Sequence, residues 1–216
     1  MTTEPSEGAG DSTFRDVSGL EAAGGTVEDG PVGSLTGRQS ILSFRELGRS
    51  DFPLLQKWLA APHVSVWWNE HFDLTSIEAK YGPGIDGSEP IHVHLIQFEG
   101  VPIGWIQWYR WRDFPEHAIQ VGADPMSAGI DLAIGAIEMT GRGLGPAAIR
   151  EFGTNYVFTN GDVGAIVADP SARNQRSVSA FRKAGFNIVG TVQLVDEAFE
   201  RHIVRLDRDE LEISSR

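Results

Sequence analysis

The chain has 216 residues, 18 basic and 30 acidic, a formal charge of −12 at pH 7, 41% hydrophobic residues and no cysteine. That length suits one domain, or one domain with a tail, and the charge argues against nucleic acid and anionic membrane surfaces as partners. Without cysteine there are no disulfides, thiolate nucleophiles or sulfur-ligated zinc; without an apolar run of roughly 18–20 residues or a basic and apolar secretory leader, the expectation is a soluble, cytoplasmic protein.

In chain order, residues 1–39 hold eight of the 25 glycines, and seven acidic against two basic side chains, a net −5 that leaves −7 for residues 40–216. With Phe14 as its only aromatic, this stretch cannot bury enough apolar surface to offset its chain entropy, so a disordered leader is expected, followed by one domain over 40–216. Ile41–Phe44 reads as a short strand. Ser50 and Asp51 cap a helix in which Leu54, Leu55, Trp58 and Leu59 share a face. The segment Pro62–Trp68 follows as a loop or short helix, then a helix around Thr75–Tyr81. Ile91–Phe98 and Ile103–Tyr109 read as strands joined by the hairpin turn Glu99-Gly100-Val101-Pro102. A strand around Gly129–Ile137 leads into a glycine cluster and a helix from Pro146 to about Phe158. Val163–Ala168 is a buried type of strand, Asn174–Ala184 a helix, and Ile188–Leu194 with Ala198–Leu206 a closing pair of strands.

Thr140-Gly141-Arg142-Gly143-Leu144-Gly145-Pro146 thus lies between a strand and a helix. Glycines there let backbone N–H groups converge, and the helix adds the positive end of its dipole, a combination suited to a diphosphate. Pro146 suits the first helical position, where its missing N–H costs little. No Gly-Lys-Ser/Thr follows, so this is not a P-loop. Downstream stand Asp169-Pro170-Ser171, Asn174-Gln175-Arg176-Ser177 and Phe181-Arg182-Lys183-Ala184-Gly185-Phe186. Arg-Gly-Leu-Gly opening a helix, then a strand, Asn-x-x-Ser and Phe-x-Lys-Ala-Gly-Phe resembles the GNAT acetyltransferase superfamily over about residues 40–207. Val66-Trp67-Trp68, Gly100-Val101-Pro102-Ile103-Gly104, Ser127-Ala128-Gly129-Ile130-Asp131 and Asp169-Pro170-Ser171 resemble the aminoglycoside 6'-N-acetyltransferases within it.

The resemblance implies an α/β GNAT fold, with a mixed central sheet of about six to seven strands and about four helices. It also implies acetyl-CoA as cosubstrate without a metal. Arg142, Gly143, Leu144, Gly145 and Pro146 would bind its pyrophosphate, and Asn174, Ser177 and Phe181 would contact the pantetheine or nucleotide end. Leu132, Ala133 and Ile134, whose apolar stripe reads as core, would also contact the cofactor, with backbone N–H groups near Leu132 and Ala133 holding the oxyanion. For Asn174 a purely local helix-start hydrogen bond is the alternative. Two positions depart from the family pattern. Thr140 stands where Arg or Gln is usual, and Phe181 stands where many relatives have a tyrosine proposed to protonate the leaving thiolate. Phenylalanine cannot donate a proton, so water does so or the thiolate leaves as the anion, which a thiol pKa near 8.5 makes tolerable.

The implied acceptor, an aminoglycoside, is a polycation and needs carboxylates. Candidates are Asp131 and Asp169 as catalytic groups that also bind substrate, with Glu70 and Asp124 on loops. Asp131 interrupts the apolar run Ile130, Leu132, Ala133, Ile134 and must be satisfied by something: either an acceptor ammonium, which it orients and deprotonates, or an internal arginine. Asp169 is either functional or an Asp-Pro turn opener. All six tryptophans lie between Trp58 and Trp111. Trp67 or Trp68 would stack on the acceptor or simply pack, and Gln107 and Tyr109 share a strand face that borders the pocket. His92-x-His94 lacks a third metal ligand and reads as structural. The expected reaction is direct transfer in a ternary complex by a monomer or homodimer. Alternatives are an acyltransferase for a siderophore precursor or other lysine-like amine, using a strand histidine such as His94 with an aspartate, and a non-catalytic acyl-CoA-binding module.

Overall fold

The computed structural model describes residues 41–68, 70–195 and 197–213; the expected leader lies outside them. Seven strands form one mixed sheet: β1 (Leu42–Glu46), β2 (Ile91–Phe98), β3 (Val101–Arg110), β4 (Ala128–Ile134), β5 (Ala165–Ala168), β6 (Asn187–Val192) and β7 (Arg201–Asp207), in spatial order β1-β2-β3-β4-β5-β7-β6. All neighbours are antiparallel except β4 and β5. The described helices are α1 (Phe52–Leu59), α2 (Pro62–Trp68), α3 (Leu74–Ile85), α4 (Pro115–Val121), α5 (Leu144–Phe152), α6 (Gln175–Lys183) and α7 (Arg208–Ile213). That is seven against the four expected. Two of the extra ones, α4 and α7, are only seven and six residues long, too short for a helical stripe to stand out in sequence.

Strand alternation divides the core. The register Trp108↔Ile130, Ile106↔Leu132 and Gly104↔Ile134 points these residues to one face. There Ile106, Trp108 and Ile130 pack with Leu144, Ala148, Ile149 and Phe152 of α5 and with Phe181 of α6. The opposite face carries Trp105, Gln107 and Tyr109 beside Ala133, Asp131 and Gly129. Trp105 packs there with Leu55, Trp58 and Leu59 of α1 and with Ile77 and Tyr81 of α3. Trp58 stacks on Trp105, ring centroids 6.1 Å apart. The indole-rich stretch is therefore mainly core.

Several boundaries differ from the sequence reading. The helix expected from Pro146 begins at Leu144, so Pro146 is its third residue, still within the first turn where a missing N–H costs no intrahelical bond. It ends at Phe152 and continues as a π-turn over Gly153–Val157. Helix α3 runs past Tyr81 and includes Pro83 near its end. Of the loop or short helix expected for Pro62–Trp68, the structure has the helix, so Trp67 and Trp68 lie on α2.

Candidate active site

The site is built where β4 and β5 part. Their parallel pairing is limited to Ala128↔Ile166 and Gly129↔Val167. Beyond it β4 runs on to Ile134, still bonded to β3, while β5 ends at Ala168 and the chain turns away at Asp169-Pro170. Residues 130–134 of β4 therefore have no strand partner on their β5 side, and backbone polar groups there are open to an extended ligand. Leu132, Ala133 and Ile134 are half-buried along this stretch. His63 of α2 contacts the Ile134 carbonyl through Nε2 at 3.1 Å, tying α2 to the end of β4.

The glycine loop lies after β4. Gly141 and Gly143 have φ of +72° and +77°, left-handed values that disfavour side chains. Gly143 caps α5 through its backbone. Gly145 faces Ala180 of α6, where a Cβ would stand 3.9 Å from the Ala180 methyl, an ordinary packing contact. Arg142 is exposed, its guanidinium 5.6 Å from the Phe98 ring centroid. Gly141, Arg142 and Gly143 are exposed, and the N–H groups of Leu144 and Gly145 at the start of α5 have no intrahelical partner, an arrangement of the kind that suits a diphosphate. Thr140 directs its hydroxyl to the Ile137 carbonyl at 2.8 Å.

Asn174, Ser177 and Phe181, expected to touch the pantetheine or nucleotide end, also have partners within the chain. Asn174 caps α6, its Oδ1 accepting from the Ser177 N–H at 3.1 Å, which is the local alternative and also occupies the Ser177 amide. Phe181 is 3% exposed and packs edge-on against Phe186 at 5.1 Å. Its ring belongs to the core, because α6 turns that face onto the sheet, and it offers a ligand almost no surface.

On the other face of the sheet the carboxylates converge. Asp131 follows Gly129 in alternation along β4, and the Val167 position paired with Gly129 places Asp169 on the same side. Gln107 Nε2 donates to Asp131 Oδ2 at 3.1 Å. No ion pair to Asp131 exists among the described residues. Desolvation and then the like charge of Asp169 raise the Asp131 pKa to about 6. Asp169 is different: buried at 6% exposure, it accepts from Arg201 and faces His117 Nε2 at 3.1 Å. The internal arginine considered for Asp131 is thus found at Asp169. Asp169 is thus already engaged by Arg201 and His117, whereas Asp131 has only the neutral Gln107 amide. Its carboxylate holds the His117 pKa above the ordinary value against the opposing effect of burial.

Tyr109 lies flat over Gly129, where a Cβ would come within 2.3 Å of its ring. Burial first, then Asp131 and Asp169, push its phenol well above the ordinary value. Trp68 packs edge-on against Trp105 at 4.9 Å, while Trp67 is 42% exposed; of the two indoles only Trp67 offers an open face. Glu70 accepts hydrogen bonds from Lys80 and Tyr81. Asp124 does not join the cluster. Its carboxylate caps the turn before β4 by accepting from the Met126 N–H at 2.8 Å, at the end of the strand opposite the opening. His94 pairs with Ile106 and faces Phe152 and Tyr156, on the sheet face opposite Asp131, so the two cannot act as a pair. Sequence reasoning missed Lys80, Tyr81, His117 and Arg201.

The model of the acetyltransferase (GNAT) domain family matches residues 48–194. The chain belongs to the GNAT acetyltransferase family. Among GNAT relatives, an aminoglycoside N(6')-acetyltransferase type 1 of Klebsiella pneumoniae is 27% identical over 180 residues, 77% of this chain and 89% of that protein. A crystal structure of aminoglycoside acetyltransferase AAC(6')-Ib with coenzyme A and kanamycin superposes with a TM-score of 0.68, at 26% identity, over 81% of this chain and 99% of that one. A lysine N-acyltransferase of Mycolicibacterium paratuberculosis is 22% identical over 149 residues, 69% of this chain and 66% of that protein.

Proposed function

We propose that this GNAT chain transfers the acetyl group of acetyl-CoA directly to the 6'-amino group of aminoglycosides, in a ternary complex and in the cytoplasm. The observation that carries the reading is Asp131: a desolvated carboxylate, without a cation of its own, beside the unpaired stretch of β4. An acceptor ammonium supplies the missing charge, at roughly 1.5–3 kcal/mol for such a charge-assisted bond. The AAC(6')-Ib relatives, with structures named for kanamycin, ribostamycin and paromomycin-type complexes, support the substrate class.

In this reading the amides of Arg142–Gly145 hold the diphosphate, and β4 orients the thioester arm along residues 132–134. Asp131 accepts the proton that the ammonium must lose before attack, directly or through water. A pKa of about 6 leaves Asp131 about nine-tenths ionised at pH 7 yet basic enough for the transfer. Backbone N–H groups near Leu132 and Ala133 stabilise charge developing on the thioester oxygen. With Phe181 in the core, the thiolate departs without help from that position. Trp67 offers an indole face to a sugar ring, and Gln107 fixes the Asp131 carboxylate.

The test mixes the protein with acetyl-CoA and a panel of kanamycin, tobramycin, hydroxylysine derivatives and peptides, and follows thiol release. Turnover on the aminoglycosides, with the product acetylated at the 6'-amine, is expected. Turnover confined to lysine derivatives contradicts the substrate assignment.

A further inference from the structure

Of the three carboxylates at the acceptor side, two already hold a cation supplied by the chain. Asp169 has Arg201 and His117. Glu70 accepts from Lys80 Nζ through Oε1 and from the Tyr81 hydroxyl through Oε2 at 3.2 Å. These two pairings differ in kind. Arg201 is itself held by two 2.6 Å bonds to Glu197, so the Asp169 arrangement is braced. Lys80 has no second ion pair among the described residues, Asp131 acting on it only at longer range; its ammonium lies 5.8 Å from the Tyr81 ring centroid. Its side chain is 47% exposed, whereas that of Glu70 is 17% exposed. The anion is fixed and sheltered while the cation sits half in water on a flexible four-carbon stem, an arrangement that costs little to undo.

Glu70 and Lys80 line a cavity of about 270 Å³ together with His71, Ser76, Ile77 and Tyr81. This cavity shares one electrostatic environment with Asp131, since the Lys80 charge acts on the Asp131 carboxyl and both Glu70 and Asp131 act on Tyr81. We propose that Lys80 is a tethered stand-in for a substrate ammonium, seated on Glu70 until a polycationic acceptor displaces it, and that it thereby limits how tightly the site holds acceptors of high charge. This rests on the reading that the acceptor is a polycationic amine. Asp131 receives the reacting amine, and Glu70 becomes a second ammonium site only when Lys80 swings into solvent.

Lys80→Met keeps most of the aliphatic stem over Tyr81 and removes the charge. Calorimetric titration with kanamycin, in the presence of coenzyme A and at low ionic strength, should then show about tenfold tighter binding. The gain should shrink at high salt and be absent for the singly charged amine glucosamine. Lys80→Arg should stay within about twofold of wild type. Adding Glu70→Gln to Lys80→Met should abolish the gain, identifying Glu70 as the group uncovered. Kanamycin binding to Lys80→Met that is equal to or weaker than wild type overturns the proposal, as does an equal gain for glucosamine. Because binding is read apart from turnover, kanamycin that binds without being acetylated counts against the proposed reaction and not against the role of Lys80. Absence of kanamycin binding to all forms removes both.

Discussion

Asp131→Asn removes the one carboxylate of the cleft that no cation of the chain neutralises, and leaves an oxygen for the Gln107 amide. The native carboxyl titrates at about 6 against an ordinary 3.8, a difference of about two units or about 3 kcal/mol. Residual solvent contact screens part of this, leaving about 2 kcal/mol. The raised value means that the folded protein binds the proton more tightly than the unfolded chain between about pH 4 and pH 6. Wild type therefore loses stability as pH rises through that window and loses no more above it. Asparagine has no such dependence. Urea denaturation should show the variant matching wild type near pH 4 and exceeding it by about 2 kcal/mol at pH 7.5. In the same variant kcat/KM should fall about a hundredfold or more, and the acid limb of the wild-type rate profile, with its apparent pKa of about 6, should vanish. A variant less stable than wild type by an amount that does not change with pH refutes the electrostatic reasoning. Full activity refutes the base assignment.

Asp169→Asn should lower the His117 pKa to or below the ordinary imidazole value, since the carboxylate that raises it is gone and the opposing effect of burial remains. Imidazole NMR titration reads this directly. The stability that His117 contributes is present below about pH 6.5 and lost as pH rises through its folded pKa, so the loss in Asp169→Asn should be larger at pH 5.5 than at pH 8; a loss independent of pH contradicts the pairing. Gly129→Ala places a methyl within 2.3 Å of the Tyr109 ring, which should cost about 1–3 kcal/mol in overpacking and lower kcat/KM at least fivefold as Tyr109 leaves the carboxylates. Coenzyme A affinity, measured by calorimetry, should stay within twofold, because the glycine loop follows the far end of β4.

Much of this architecture was legible in the chain because its signals are local. The alternation around Glu99–Pro102 specified the β2–β3 hairpin, and the apolar spacing of Leu55, Trp58 and Leu59 specified the buried face of α1. The glycine cluster and Asn-x-x-Ser marked the starts of α5 and α6, although Asn174 turned out to serve its own helix. Asp131 stood out as a charge within an apolar run. What a linear reading could not supply was pairing between distant segments. Nothing local links Asp169 to His117, 52 positions earlier, or to Arg201, 32 positions later. For the same reason Asp124 reads as a further candidate for the pocket that holds Asp131. Both are acidic residues near one strand, and only the direction in which β4 and β5 separate tells the two ends apart.

The central claim is that Asp131 meets the acceptor amine beside the open stretch of β4. A crystal structure of the ternary complex with coenzyme A and kanamycin tests it most directly. The account predicts the 6'-nitrogen about 2.6–3.2 Å from an Asp131 oxygen or one water away, with the diphosphate on the Arg142–Gly145 amides. A 6'-amine seated elsewhere, with Asp131 turned toward a side chain of the protein, would contradict it.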